Sequence, residues 1–119
     1  MCIICTGEEI VGGELIIEGC DDVVEIPIID GLKSMDIKNC SSLIEISNIV
    51  GLKNLIIDNC YELIQIPNIV GLTYLNINDC NEIDKIPIIE GLKSLYIKNC
   101  STLIEISNIV GLKTLNIDN

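Results

Sequence analysis

The segment that decides the fold reads Gly-Leu-Lys-Ser-Leu-Tyr-Ile-Lys-Asn-Cys at residues 91–100. Its pattern returns every twenty residues, and the cysteine that ends it falls at Cys20, Cys40, Cys60, Cys80 and Cys100. A short fixed period is typical of a solenoid, in which each coil can bury its apolar side only by stacking on its neighbours. The chain is therefore predicted to be a tandem array of coils.

Seven positions of each coil are predicted to point inward. In residues 21–40 they are Val23, Ile26, Ile29, Leu32, Met35, Ile37 and Cys40, and each recurs as an aliphatic residue or cysteine in the later coils. Polar residues alternate with the apolar ones through the Leu-x-Ile stretch. Alternation at period two indicates a short β-strand.

Glycine and proline mark the bends of each coil. Gly31 and its equivalents precede the leading leucine of the strand, where the chain turns and a positive φ is expected. Gly12-Gly13 matches this corner in the first coil. Pro27, and the proline or serine at the same place in later coils, favours an extended return segment over a helix. Twenty residues also leave little room for a helix beside a strand and two corners.

Residues 1–119 are predicted to form a single solenoid domain. Residues 1–20 form a degenerate N-terminal coil or partial cap, because Leu15, Ile17 and Cys20 keep the columns and residues 1–13 do not. The repeats are residues 21–40, 41–60, 61–80, 81–100 and 101–119.

The unit L-K-S-L-Y-I-K-N-C at residues 92–100 resembles the leucine-rich-repeat core L-x-x-L-x-L-x-x-N/C. With the following L-I-E-I-S-N-I it is similar to the twenty-residue repeat of secreted bacterial effectors. The version with cysteine and I-P-x-I-x-G-L resembles repeat proteins of amoeba-infecting giant viruses. Over residues 15–119 the resemblance implies a β-rich, right-handed solenoid with one parallel strand per repeat, an extended return limb, little or no α-helix, and a protein-binding role. Periodicity alone also fits a straighter β-solenoid.

The net charge of −11 constrains the partners. Nucleic acids and anionic membrane surfaces are not expected, because both require a basic face. Four lysines share one column, Lys33, Lys53, Lys93 and Lys113, with Thr73 between them. This column is either a solvated strand edge or an anion-binding stripe.

The cysteines are predicted to be buried thiols and not metal ligands or disulfides. Cysteines at one coil position lie in a line and do not converge on a metal, and the chain has no histidine. No signal peptide or membrane span is visible, so a cytoplasmic or virion-associated location is expected, where thiols stay reduced. Cys2 and Cys5 lie outside the regular columns and could form a metal site, a redox pair or an intermolecular disulfide.

No catalytic or cofactor-binding chemistry is predicted. The sequence lacks histidine, a nucleophile-elbow motif, a phosphate-binding loop and a conspicuous pair of carboxylates in an apolar setting. We therefore expect a non-enzymatic protein without cofactor or metal.

The outward face of the strands is the first candidate binding surface. Tyr74 and Tyr96 are its expected anchors, because aromatic side chains concentrate binding energy. The predicted protein-binding residues are Ser34, Asp36, Asn54, Ile56, Tyr74, Asn76, Ser94, Tyr96, Thr114 and Asn116.

A second candidate surface consists of apolar residues outside the inward columns, which either form exposed stripes or tuck into corners. The predicted self-association stripe comprises Val24, Ile44, Ile64, Ile104, Val50, Val70 and Val110. The array also shows no polar cap after its last repeat, so either the sequence is cut from a longer array or its open end is covered by another copy. Two function classes follow: a scaffold for protein–protein interaction, or a structural subunit that assembles head-to-tail into filaments.

Overall fold

The computed structural model describes residues 12–103, 105–106 and 111–118. Its main element is a six-stranded parallel sheet with one five-residue strand from each coil. The strands are β1 (Glu14–Glu18), β3 (Ser34–Lys38), β5 (Asn54–Asp58), β6 (Tyr74–Asn78), β8 (Ser94–Lys98) and β10 (Thr114–Asp118). Four two-residue strands lie on the return side: β2 (Glu25–Ile26), β4 (Glu45–Ile46), β7 (Lys85–Ile86) and β9 (Glu105–Ile106).

Each long strand pairs with the strand twenty residues further on, residue for residue. Leu15 faces Met35, Met35 faces Leu55, and the same register continues to Leu115. No helix occurs among the residues described, and so none there could span a membrane. The predicted β-solenoid, with one parallel strand per twenty-residue repeat, an extended return limb and no helix, is confirmed.

The inward columns form one continuous apolar core. Between Leu15 and Cys100 the predicted inward side chains are buried, except Ile29, which is partly buried against them. No polar or charged residue is buried with them in the described range. The core is filled by branched aliphatic side chains and thiols, which suits coils too thin to hold large rings.

Two columns of residues turn the chain with positive φ. The corner glycines do so as predicted, with Gly31 at 80° and Gly91 at 93°. The residue before each cysteine was not predicted to be special, yet Asn39, Asn59, Asp79 and Asn99 all have φ between 53° and 58°. Asparagine and aspartate tolerate this left-handed region better than other side chains with a Cβ.

The return limbs of neighbouring coils form strand pairs only where the backbone has an N–H group to donate. Ser47 N donates to Ile26 O at 2.9 Å, beside the β2–β4 pair. Pro67 and Pro87 occupy the same position in the next two coils and have no N–H to donate. The two-stranded pairs β2–β4 and β7–β9 therefore lie on either side of a gap in the ladder.

Candidate binding surfaces

The predicted protein-binding residues all lie on the outward face of the six-stranded sheet. They occupy the first and third positions of strands β3, β5, β6, β8 and β10. Parallel register places equivalent residues side by side, about 4.8 Å apart. Their side chains are half-buried or exposed, so the sheet brings these residues together as one surface.

Tyr74 and Tyr96 form the centre of this surface. Their ring centroids are 5.5 Å apart and the rings are inclined by 39°. Asn76 lies between them, facing Tyr96 across the strand pair, and its Nδ2 donates to the Tyr74 hydroxyl at 3.4 Å. A tilted aromatic pair of this kind adds about 0.5–1.5 kcal/mol beyond burial, which holds both rings in place before a ligand arrives.

An open cavity of about 300 Å³ adjoins Tyr96. It is lined by Asn76, Asn78, Tyr96, Ile97, Lys98, Asn116 and Asp118. Three of these, Asn78, Lys98 and Asp118, belong to a third outward column that the sequence reasoning omitted. The omission was avoidable, because a five-residue strand with alternating faces has three outward positions.

Asp36 is an unusual member of the strand face. It faces Ile16 on one side and Ile56 on the other. Its Oδ2 lies 3.8 Å from Lys38 Nζ, but its Oδ1 is buried and has no hydrogen-bond partner. A buried acceptor left without a donor is costly, so this oxygen lowers the stability of the fold at this position.

The predicted self-association stripe is exposed in the part that the structure describes. The exposed fractions are 52% for Val24, 40% for Ile44 and 50% for Ile64, and they are higher still for Val50 and Val70. Ile104 and Val110 lie outside the described residues. These five residues are therefore exposed and not tucked into corners, which is the first of the two interpretations.

The two edges of the large sheet differ. Leu15 and Ile17 on β1 are 2% and 0% exposed, whereas Leu115 and Ile117 at the same coil positions on β10 are 52% and 43% exposed. Beyond β10 the described residues add no further strand to the sheet. β10 thus exposes apolar side chains at positions that β1 buries.

The cysteine column lies inside the core, as predicted. The thiols of Cys40, Cys60, Cys80 and Cys100 are buried and not disulfide-bonded, and each donates to the carbonyl oxygen two residues earlier at 3.3–3.6 Å. Burial raises the pKa of Cys80 to about 12. A thiol hydrogen bond between Cys40 and Cys60 lowers the pKa of Cys40 to about 7 and raises that of Cys60.

Cys20 corrects the prediction that all the cysteines are free thiols. It keeps its place in the buried column but is disulfide-bonded. The other four described cysteines are not disulfide-bonded, so its partner is not among them. The sequence predicts the same state for all five cysteines of the column, because they occupy equivalent coil positions, and so it does not distinguish Cys20 from the others. Cys2 and Cys5, for which several alternatives were open, lie outside the described residues.

The lysine column runs along one border of the strand face. Lys53 Nζ lies 3.5 Å from the carbonyl oxygen of Gly71 in the next coil. The ammonium groups of Lys33 and Lys93 similarly lie beside Gly51 and Gly111. Each lysine therefore leans along the solenoid axis and covers the next glycine corner, an arrangement that fits a solvated strand edge.

Comparisons with protein-family models, curated proteins and solved structures give no significant match to this chain. The resemblance to leucine-rich repeats consequently stays a hypothesis based on the repeat motif alone.

Proposed function

We propose that this chain is a non-catalytic scaffold that binds a protein partner through the outward face of its six-stranded sheet. The observation that carries the proposal is the Tyr74–Tyr96 pair, held by Asn76 beside an open cavity. Aromatic side chains with a polar end are over-represented at the energetic centres of protein interfaces.

The rigidity of the sheet supports this proposal. The third residue of each five-residue strand from β3 to β8 lies between two buried inward neighbours, as Asn76 does between Leu75 and Ile77. Ordering a surface before binding reduces the entropy lost on association. A partner therefore meets a platform whose backbone does not have to rearrange.

The chemistry of the face also suits a protein. It combines two aromatic rings with the amides of Asn54, Asn76 and Asn116 and the half-buried carboxylate of Asp36. Amide and carboxylate groups pair readily with exposed backbone and side-chain donors. In contrast, a cysteine nucleophile has no support, because the thiols of Cys40, Cys60, Cys80 and Cys100 are buried.

The repeat motif supports two finer proposals. The chain belongs to a short leucine-rich-repeat type with a cysteine ladder, for which protein binding is the expected role, and a viral origin is part of that resemblance. A cytoplasmic or virion-associated location is proposed on the thiol state of Cys40, Cys60 and Cys80, and the disulfide at Cys20 counts against it.

Affinity capture with matched tyrosine variants tests the strand-face proposal. The chain and its Tyr74→Ala/Tyr96→Ala variant are used as bait in extracts of the cells that produce it, and Tyr61→Ala is the control. Tyr61 is also exposed but lies on the opposite limb. We expect a partner to be retained by the wild type and the control and lost, by at least about tenfold, with the double variant. A partner retained equally by all three would contradict the proposal.

The exposed edge of β10 favours a second candidate, head-to-tail assembly of copies. Leu115 and Ile117 offer the apolar contact, and the edge backbone offers a ladder. Sedimentation velocity across a wide concentration range tests this candidate. Assembly predicts a mass that rises with concentration and falls back in Leu115→Asp, while Ile88→Asp, at an exposed position away from both ends of the array, has no effect. A single monomer boundary at every concentration would remove this candidate.

A further inference from the structure

The net charge of the chain is distributed unequally between two limbs of the coil. We call residues 13–18 and their equivalents the strand limb, and residues 19–32 and their equivalents the return limb. The strand limb has six lysines and five carboxylates, whereas the return limb has Lys85 alone against eleven carboxylates. Nearly all of the negative charge therefore lies on the return limb.

Apolar side chains are exposed within this acidic limb. Val24, Ile44 and Ile64 follow one another along the axis, joined by backbone bonds from Ile44 N to Val24 O at 2.8 Å and from Ile64 N to Ile44 O at 3.3 Å. Each is at least 40% exposed. Because the coils are in register, the three side chains form one continuous apolar strip.

Carboxylates flank this strip in fixed positions. Glu25 and Glu45 are paired in register next to Val24 and Ile44. The Ser47 hydroxyl donates to Glu25 Oε1 at 3.2 Å, and the Ser41 hydroxyl donates to Asp21 Oδ1 at 2.7 Å. The one ion pair among the described residues is on the strand limb. The return-limb carboxylates thus keep their charge uncompensated.

This combination determines the chemistry of the occupant. A second copy would bring the same acidic limb against this one, and like charges in contact are repelled. Anionic lipids and nucleic acids are repelled for the same reason. A segment with apolar residues on one side and lysine or arginine beside them meets both features. We propose that the return limb is a docking surface for a cationic amphipathic protein segment, separate from the strand face.

The test uses a synthetic leucine–lysine peptide designed as an amphipathic helix. The control is a scrambled peptide that has the same composition. Binding is followed by isothermal titration calorimetry at low and moderate salt. We expect the designed peptide to bind and the scrambled one to bind at least about tenfold more weakly. The affinity should also fall with salt, because screening weakens charge attraction.

Variants of the chain identify the surface. Val24→Ser/Ile44→Ser/Ile64→Ser removes the strip, and Glu25→Gln/Glu45→Gln removes charge without changing shape. We expect each to weaken binding at least about tenfold. The glutamine variant should keep its urea midpoint because both carboxylates are exposed, and the serine variant, whose three side chains are 40–52% exposed, should still show one cooperative urea transition. The matched controls are Ile16→Ser and Glu14→Gln/Glu18→Gln on the strand limb. These controls, and Tyr74→Ala/Tyr96→Ala, should change the affinity less than about twofold, which separates this surface from the strand face.

Three results would overturn the proposal. One is a failure of the designed peptide to bind the wild type. Another is equal binding of the two peptides, or equal losses in the return-limb and strand-limb variants, which indicates unspecific charge attraction. The third is self-association of the wild type that the serine variant abolishes, which assigns the strip to a second copy.

Discussion

At the scale of single residues, the turn before each cysteine depends on side chains that accept a left-handed backbone. Asn59 has φ of 58°, and its N–H continues the strand ladder by donating to Asn78 O at 2.9 Å. Its side chain also donates to Asn39 Oδ1 at 2.7 Å. The same column holds Gly19 and Asp79, which are also residues that tolerate positive φ.

Substitutions at Asn59 separate the backbone requirement from the side-chain hydrogen bond. Asn59→Ala and Asn59→Gly both remove the bond, but only alanine is strained at this φ. We expect Asn59→Ala to lower the free energy of unfolding by about 1–2 kcal/mol and Asn59→Gly to lower it by less than about 0.5 kcal/mol. Urea denaturation measures both, with Asn54→Ala as an exposed control. Equal losses for alanine and glycine would assign the effect to the hydrogen bond.

The buried thiols make stability depend on alkaline pH. Burial raises the pKa of Cys80 to about 12, well above the value of a thiol in an unfolded chain. Above pH 9 or so the unfolded chain loses this proton while the folded chain keeps it, so rising pH favours unfolding. Cys80 should therefore contribute a loss of about 1.4 kcal/mol per pH unit.

Comparison with Cys80→Ala isolates this contribution, because alanine does not titrate. The stability difference between the wild type and the variant should be constant below about pH 8.5. As the pH rises from there toward about 11, the wild type should lose stability relative to the variant. Urea denaturation at several pH values measures it. A difference independent of pH would show that the Cys80 thiol is not protected from ionisation.

At the scale of elements, equivalent strands carry the same inward residues in unequal environments. Leu75 on β6 and Leu115 on β10 occupy the same column, yet Leu75 is fully buried and Leu115 is 52% exposed. Leu75→Ala should destabilise the chain by about 2–5 kcal/mol through the lost packing and the cavity left behind. Leu115→Ala should cost less than about 1.5 kcal/mol.

Thermal or urea unfolding of the two leucine variants checks this prediction at a concentration where the chain is monomeric. Similar losses for both would mean that β10 is covered in solution. Repeating the measurement at high concentration also reports on assembly, since head-to-tail stacking would bury Leu115 and enlarge its cost.

The sequence predicts an element well where one residue type recurs at the same position of every coil. The inward positions, the strand and the glycine corners each follow from a residue type repeated at one coil position. The break in the return-limb ladder at Pro67 and Pro87 was not foreseen, because it depends on which N–H groups face a partner. The column of positive-φ residues before the cysteines was also not predicted, although the sequence has only Asn, Asp or Gly at this position, which is a recognisable signal.

At the scale of the whole molecule, the coil sorts its chemistry into a strand limb and a return limb. The net charge alone predicts an acidic protein, but it does not show that only Lys85 lies among the return-limb carboxylates. This division appears once the residues are assigned to limbs. It separates a nearly neutral aromatic and amide face from an acidic and apolar one. The two binding proposals together imply that two different partners bind at once.

Both surfaces depend on one claim, that the coils stack in unbroken register from the first strand to the last. The distance between spin labels at Glu14→Cys and Thr114→Cys tests it most directly, because these exposed residues are equivalent positions of β1 and β10. Five steps between strands predict a narrow backbone separation of about 24 Å, and a label pair at Asn54 and Thr114 predicts about 14 Å. Broad distributions, or separations that do not scale with the number of strands between the labels, would contradict the account.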